Sequence, residues 1–195
     1  KELVFEALGQ QNSNDGTAMA LDSIFRIYSM TKPIVSVAVM MLMEQGKLLL
    51  NDSVSKYLPE FSKQRVAFES NGEVAYVSTK NDATIQDLLR HTSGLTYEFL
   101  GNTAVQKAYR SSKIGMSLRD ANNAEFSRIL AALPLQFEPS TAWEYSRATD
   151  VLGALVEVVS GQKLSEFLQQ HIFTPLGMLE TGFSVPEEKH HRIAE

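Results

Sequence analysis

The sequence predicts a mainly helical chain, and three observations carry that expectation. Residues 31–45 are apolar around most of a helical circumference and stop at Gly46. Residues 146–160 form a second strongly apolar helix that stops at Gly161. Strand signals, in contrast, are few and short. A helix apolar all round is normally buried, so the first of the two is expected to be the central helix of its domain.

The bulk properties fit an ordinary globular protein of one or two domains. The chain has 195 residues, 44% of them hydrophobic and 21% charged, with a net charge of −5. A chain this long can bury roughly 70% of its unfolded-state surface. It has no Cys, which excludes disulfides, thiolate metal sites and a Cys nucleophile. That lack does not decide between cytoplasm and periplasm, so the compartment is left open. The acidic excess is spread along the chain with no basic run, which argues against nucleic acid as the main partner. The longest apolar run, residues 33–43, contains Ser36 and is too short to span a bilayer. These residues also lack the basic leader and small-residue cleavage site of a signal peptide. The chain begins at Lys1 in strand-like sequence and ends at Glu195 after a polar stretch. Both ends read as cut, and the expectation is a fragment of a larger fold.

Taken in order, residues 2–8 read as a short strand and residues 9–16, rich in Gln, Asn and Gly, as a loop. Residues 24–27 are extended and run into the turn at Ser29. After the apolar helix, Gly46 acts as its C-cap, and a short helical turn closed by Pro59 follows. Residues 65–69 and 73–78 alternate apolar and polar around Asn71-Gly72, a strong hairpin signal, and the hairpin is expected to be peripheral. Residues 82–91 form a short helix with Asp82 or Thr84 as N-cap, ending in the loop Thr92-Ser93-Gly94-Leu95. Further helices are expected near 103–109, over 123–133 before Pro134, and over 164–172.

The chemistry-bearing stretch is Ser29-Met30-Thr31-Lys32 at the head of the first apolar helix. Residues at i and i+3 share a helix face, roughly 5–6 Å apart at Cβ. A lysine so placed can take the serine proton if burial or a neighbouring cation lowers its pKa. Ser29 is therefore the candidate nucleophile and Lys32 its candidate base. Alone, the pattern is common: Ser caps many helices and Lys is usually solvated. Here the helix is apolar all round, so a lysine in its first turn is expected to be partly buried and to have a partner.

Phe25-Arg26-Ile27-Tyr28-Ser29-Met30-Thr31-Lys32-Pro33 resembles the nucleophile segment of the serine β-lactamase-like hydrolases. It is most similar to the class C β-lactamase-related carboxylesterases (family VIII esterases) and their acyltransferase relatives. Further stretches resemble that family in the same order. They are Gly46-Lys47-Leu48 with Asp52-Ser53-Val54 and Tyr57-Leu58-Pro59-Glu60-Phe61, then Thr84-Ile85-Gln86-Asp87-Leu88-Leu89-Arg90-His91-Thr92-Ser93-Gly94-Leu95. Phe137-Glu138-Pro139 with Trp143-Glu144-Tyr145-Ser146 follows, and Val151-Leu152-Gly153 to Gly161, then Ile172-Phe173-Thr174-Pro175-Leu176-Gly177-Met178, closes the series. The likeness covers residues 21–183.

The resemblance implies an α/β (β-lactamase/transpeptidase-like) fold, with a helical domain and an α/β domain built on an antiparallel sheet largely missing from this chain. Residues 1–30 would be the N-terminal edge of the α/β domain. Residues 31–183 would hold the nucleophile helix and helical domain, and residues 184–195 a polar tail. It gives Tyr145, in the second motif Tyr145-Ser146-Arg147, the role of relaying the Ser29 proton. Arg147 stands where β-lactamases usually carry Asn. A long cation in place of a neutral amide at a substrate-facing position argues against efficient β-lactam recognition and leaves ester hydrolysis open. Tyr97 and Trp143 are candidates to line the acyl pocket, with plain packing the other reading of each. The family's third motif, which supplies the second oxyanion N–H beside that of Ser29, would lie downstream; Thr181-Gly182 is on the wrong side in chain order.

The expected function is hydrolysis of small carboxylic esters through an acyl-enzyme, with no cofactor and no metal. The expected partner is a small-molecule ester or lactam, and the remaining half of the fold would come from a second chain or from further sequence. Without it, little or no turnover is expected, since one oxyanion donor alone is worth about 10²–10³ in rate. The alternatives are a β-lactamase or D-alanyl-D-alanine peptidase, and a non-catalytic penicillin-binding-like module. His91 reads as a structural residue at a helix end, because no Gly-x-Ser-x-Gly elbow accompanies it and Ser93. His171, His190 and His191 lack metal-ligand spacing.

Overall fold

The computed structural model describes residues 4–70, 73–112, 114 and 121–195. Its helices in chain order are α1 (Thr31–Glu44), α2 (Ile85–Arg90), α3 (Ala104–Ser111), α4 (Asn123–Ala131), α5 (Ala148–Ser160) and α6 (Leu164–Leu168). Strands β1 (Gln10–Asn12) with β2 (Thr17–Ala18), and β3 (Arg65–Ser70) with β4 (Glu73–Ser78), form two separate antiparallel pairs. No described helix is long and apolar enough to cross a membrane.

The core is the contact of α1 with α5, closed by α2, α4 and α6. Val35, Ala38, Val39 and Leu42 of α1 and Val151, Leu152, Leu155 and Val156 of α5 are buried. Gly153 lets α6 approach, since a Cβ there would sit 3.1 Å from Leu164 Cδ2. Burying each large aliphatic side chain contributes roughly 1.5–3 kcal/mol, and this two-helix seam shares one core with Leu88 of α2, Leu130 of α4 and Phe167 of α6. The expectation of a helix buried all round needs correction. Pro33, Val37 and Met40 of α1 are exposed, because α5 and α6 cover only one side of it among the described residues.

Other expectations shift locally. Described residues 4–8 carry no strand; the first strand begins at Gln10. The hairpin register runs from Arg65↔Ser78 to Ser70↔Glu73, and β4 is exposed along its length, so the hairpin is peripheral. Its turn residues Asn71 and Gly72 lie outside the described residues. The helix expected over 164–172 is α6 followed by a wider π-turn, Gln169–Phe173. Residues 184–195, polar in composition, fold back on the N-terminal segment. Ile24 N–H donates to Arg192 O at 2.7 Å, Ala194 N–H to Ile24 O at 2.9 Å, and Glu195 N–H to Gln11 O at 2.9 Å. Arg192 also pairs with Glu180 at 2.5 Å and with Asp22 at 3.0 Å. A cavity of about 700 Å³ lies against residues 179–186 and α6, and none of the Ser29 group lines it.

Two loops bring the site together. α2 opens with a capping box: Thr84 Oγ1 accepts from Asp87 N–H at 3.1 Å, and Asp87 Oδ2 accepts from Thr84 N–H at 3.0 Å. Thr84, not Asp82, is thus the cap. α2 ends at His91 in the left-handed region, φ 58°, which turns the chain into the 92–97 loop. That loop is laced to the 136–147 loop through backbone hydrogen bonds. Gln136 N–H donates to Gly94 O at 2.7 Å, Ser140 to Thr92 at 2.8 Å, Glu144 to His91 at 3.0 Å and Arg147 to Thr96 at 3.4 Å. Asp87, 1% exposed, ties both loops to α2 by accepting from Thr92 Oγ1 and Ser140 Oγ, each at 2.7 Å.

Candidate active site

Ser29 sits in a single 3₁₀ turn, Tyr28–Met30, immediately ahead of α1. Tyr28 holds φ 44°, a conformation that costs a bulky L-residue on the order of 1–3 kcal/mol. This bend joins the extended approach to the turn and leaves Ser29 exposed at the head of the helix. Lys32 follows in the first turn of α1, and its Nζ donates to Ser29 Oγ at 3.3 Å. From the far side of the chain, the laced loops deliver two phenols. Tyr145 OH is 2.6 Å from Ser29 Oγ, and Tyr97 OH is 3.1 Å from Lys32 Nζ. Lys32 Nζ also lies 4.6 Å from the Tyr145 ring centroid.

The charges follow from these contacts. Burial works against the Lys32 ammonium, but the hydroxyls of Tyr145 and Tyr97 outweigh it, and Lys32 titrates above the ordinary lysine value. Tyr145 moves the other way: Lys32 first, then Ser29, hold its phenol below the ordinary tyrosine value. Burial pushes Tyr97 up, with Lys32 opposing. The base role expected for Lys32 required a depressed amine, and the surroundings do the reverse. Tyr145 is the group of the two whose pKa is held down.

The remaining sequence candidates lie around this centre. Tyr97, 8% exposed, is packed against Lys32 and Phe99 and does not stand open as a pocket wall. Trp143 is 66% exposed at the rim, edge-on to His91 with ring centroids 6.3 Å apart. Arg147 is not a free cation: it is paired with Glu98 at 2.5 Å. His91 Nδ1 bonds Ser146 Oγ at 3.0 Å, and burial, with the Lys32 charge behind it, pushes its pKa below the ordinary histidine value. Ser93 is 1% exposed with its hydroxyl unpaired among the described residues, so it offers no nucleophile to solvent. The contact of Tyr97 with Lys32 escaped sequence reasoning. Its only signal was a Tyr two residues after Leu95 in a loop that the Ser-x-x-Lys pattern does not mention.

The family model described as Beta-lactamase matches residues 1–195. The chain belongs to the beta-lactamase family. Among curated relatives, Esterase EstB of Burkholderia gladioli is 38% identical over 187 residues, covering 96% of this chain and 45% of that protein. Lovastatin esterase of Penicillium rubens is 30% identical over 173 residues, covering 88% of this chain and 42% of that protein. The solved structure of "EstCE1, a hydrolase with promiscuous acyltransferase activity" superposes with a TM-score of 0.76 at 32% identity, covering 95% of this chain and 46% of that one. The chain thus spans about half the length of the relatives it matches and carries part of the β-lactamase/transpeptidase-like fold. The two small antiparallel pairs and the dominance of helix agree with a partial domain of that fold.

Proposed function

We propose that the protein is a serine hydrolase that cleaves small carboxylic esters through an acyl-enzyme on Ser29. The observation that carries the reading is the convergence of Tyr145 OH and Lys32 Nζ on Ser29 Oγ, at 2.6 and 3.3 Å. Tyr145, as phenolate, accepts the Ser29 proton while Oγ attacks the ester carbonyl carbon. Lys32 stays an ammonium, stabilises that phenolate and holds Ser29 in line. The carbonyl π pair moves onto oxygen, where the Ser29 N–H at the head of α1 is a donor to the oxyanion. Collapse expels the alcohol oxygen, which takes the proton back from Tyr145. Water then repeats the sequence on the acyl carbon, giving its proton to Tyr145, and Ser29 leaves as the hydroxyl. An alcohol in place of water gives acyl transfer by the same steps.

The names of the relatives support the class, since they include an esterase, a lovastatin esterase and a hydrolase with acyltransferase activity. The pairing of Arg147 with Glu98 takes away the free cation on which the sequence argument against β-lactams rested, so that residue does not separate the two substrate classes and the comparison of substrates does. The test, on protein that carries this chain together with the rest of the fold its relatives have, is turnover of p-nitrophenyl butyrate against a chromogenic cephalosporin, with Ser29→Ala as control. Ester turnover that Ser29→Ala abolishes is the expected result. Turnover of the cephalosporin alone would replace this reading with a β-lactamase.

A further inference from the structure

Glu98 and Arg147 form an ion pair that is one ring removed from the proton relay. Arg147 Nη2 donates to Glu98 Oε1 at 2.5 Å and Nε to Oε2 at 3.3 Å, with the side chains 17% and 19% exposed. This two-point fork fixes the plane of the guanidinium as a single contact would not. Arg147 Cζ lies 4.8 Å from the Tyr97 ring centroid, and Phe99 stacks on the same ring with centroids 4.8 Å apart. Tyr97 in turn meets Lys32 Nζ at 3.1 Å and has its ring centroid 5.4 Å from that of Tyr145.

We propose that Glu98 and Arg147 are positioning residues for the relay: the carboxylate holds the guanidinium, the guanidinium holds Tyr97, and Tyr97 holds Lys32 against Ser29. The proposal rests on the reading of Ser29, Lys32 and Tyr145 given above. Lys32 ends in a compact ammonium on a flexible stem, which samples several rotamers unless anchored. Ser29 and Tyr97 accept its hydrogen bonds, Tyr145 also holds its charge, and Tyr97 is kept in place by the pair.

The pair also has an electrostatic consequence that separates positioning from plain packing. Its charges cancel as seen from Tyr145, and either charge alone would not. The other ionisable groups around Tyr145 are Lys32 on α1, His91 and Tyr97 on the loop after α2, Glu144 on its own loop, and Asp150 in the first turn of α5. Asp150 and Tyr97 themselves feel the pair: Arg147 favours the charged form of each, and Glu98 opposes it at Asp150.

The experiment follows Tyr145 ionisation through its ¹³Cζ shift against pH in labelled protein, assigned with Tyr145→Phe, alongside the pH dependence of Ser29 labelling by a fluorophosphonate. Glu98→Gln leaves a bare cation and lowers the Tyr145 midpoint. Arg147→Gln leaves a bare anion and raises it. For one unpaired charge beyond the Tyr97 ring, at a dielectric between protein surface and water, each shift is about half a pH unit. The double variant returns to the wild-type midpoint, and the acid limb of labelling moves with each midpoint. Arg147→Lys keeps the charge without the fork, so its midpoint stays while labelling slows. Midpoints that do not move, or that move the same way in both single variants, overturn the proposal. If Arg147→Gln does not fold, Glu98→Gln and Arg147→Lys decide it by a lowered midpoint and by slowed labelling at an unmoved one. Wild-type protein that never labels at Ser29 while the midpoints still split would overturn the hydrolase reading instead.

Discussion

The Tyr145 hydroxyl stands 2.6 Å from Ser29 Oγ across 116 positions of sequence. That contact turns a Ser-x-x-Lys pattern, frequent at helix starts, into a cluster of three groups, the relay proposed above. It exists because the 92–97 and 136–147 loops are laced to each other and tied through Asp87 to α2.

Removing the phenolic oxygen leaves the fold alone and the chemistry impaired. Tyr145→Phe is expected to slow acylation of Ser29 by about 10²–10⁴, the usual worth of a positioned acid–base group. Stability should stay within about 0.5 kcal/mol, since the hydroxyl lies at an open site. Stopped-flow acylation and thermal melting check the two halves separately.

The pH dependence has a definite sign. In the proposed mechanism the reactive form has Tyr145 ionised and Lys32 charged. Tyr145 lies below its ordinary value through Lys32 and Ser29, and Lys32 lies above its own, the Tyr145 and Tyr97 hydroxyls outweighing burial. Acylation should therefore rise as pH climbs through the Tyr145 value, hold over a plateau, and fall as Lys32 loses its proton. A Lys32 acting as neutral base would give a single rise with no plateau below the ordinary tyrosine range.

Asp87 is the fastening of the site. It is 1% exposed and accepts from the Thr84 N–H at 3.0 Å, Thr84 Oγ1 at 2.6 Å, and Thr92 and Ser140 at 2.7 Å. Asp87→Ala leaves those donors buried without partners and should cost about 3 kcal/mol, by denaturant melting. Burial would raise its pKa, but the Thr84, Ser140 and Thr92 bonds outweigh that and leave it below the ordinary aspartate value. Its contribution is thus present above that ordinary value and lost as pH falls through the lower folded one. Wild-type stability should drop on acidification over that window, and Asp87→Ala should flatten the drop.

Gly94 is where the two loops touch most closely. It holds φ 85°, and a Cβ there would lie 2.3 Å from the Phe137 carbonyl oxygen, a backbone atom. Gly94→Ala should destabilise by about 2–4 kcal/mol through clash and strain together. It should also slow Ser29 acylation, because the displaced loop carries Tyr97.

What the residues disclosed in advance was local. The apolar runs of α1 and α5, the Thr84 cap, the hairpin strands and the i,i+3 pair of Ser29 and Lys32 follow from periodicity and near neighbours. What escaped depends on contacts between distant segments. Tyr97 reaches Lys32 across 65 positions, and Arg147 is claimed by Glu98 across 49. Neither pairing has a spacing rule. The acidity of Lys32 escaped for the same reason, since two phenols from other loops reverse the effect of burial. The fold-back of residues 184–195 escaped because polar composition describes a surface strip and a loose end equally well. The exposed face of α1 shows the limit of composition from the other side: Val37 and Met40 are apolar, yet nothing among the described residues covers them.

The central claim is that Ser29 is a nucleophile driven by Tyr145. Incubation with a fluorophosphonate, followed by mass analysis of the peptide bearing Ser29, tests it most directly. A single adduct on Ser29, absent in Ser29→Ala and formed at least tenfold more slowly in Tyr145→Phe, is the predicted result. An adduct on another residue, or one on Ser29 that forms equally fast without the Tyr145 hydroxyl, would contradict it.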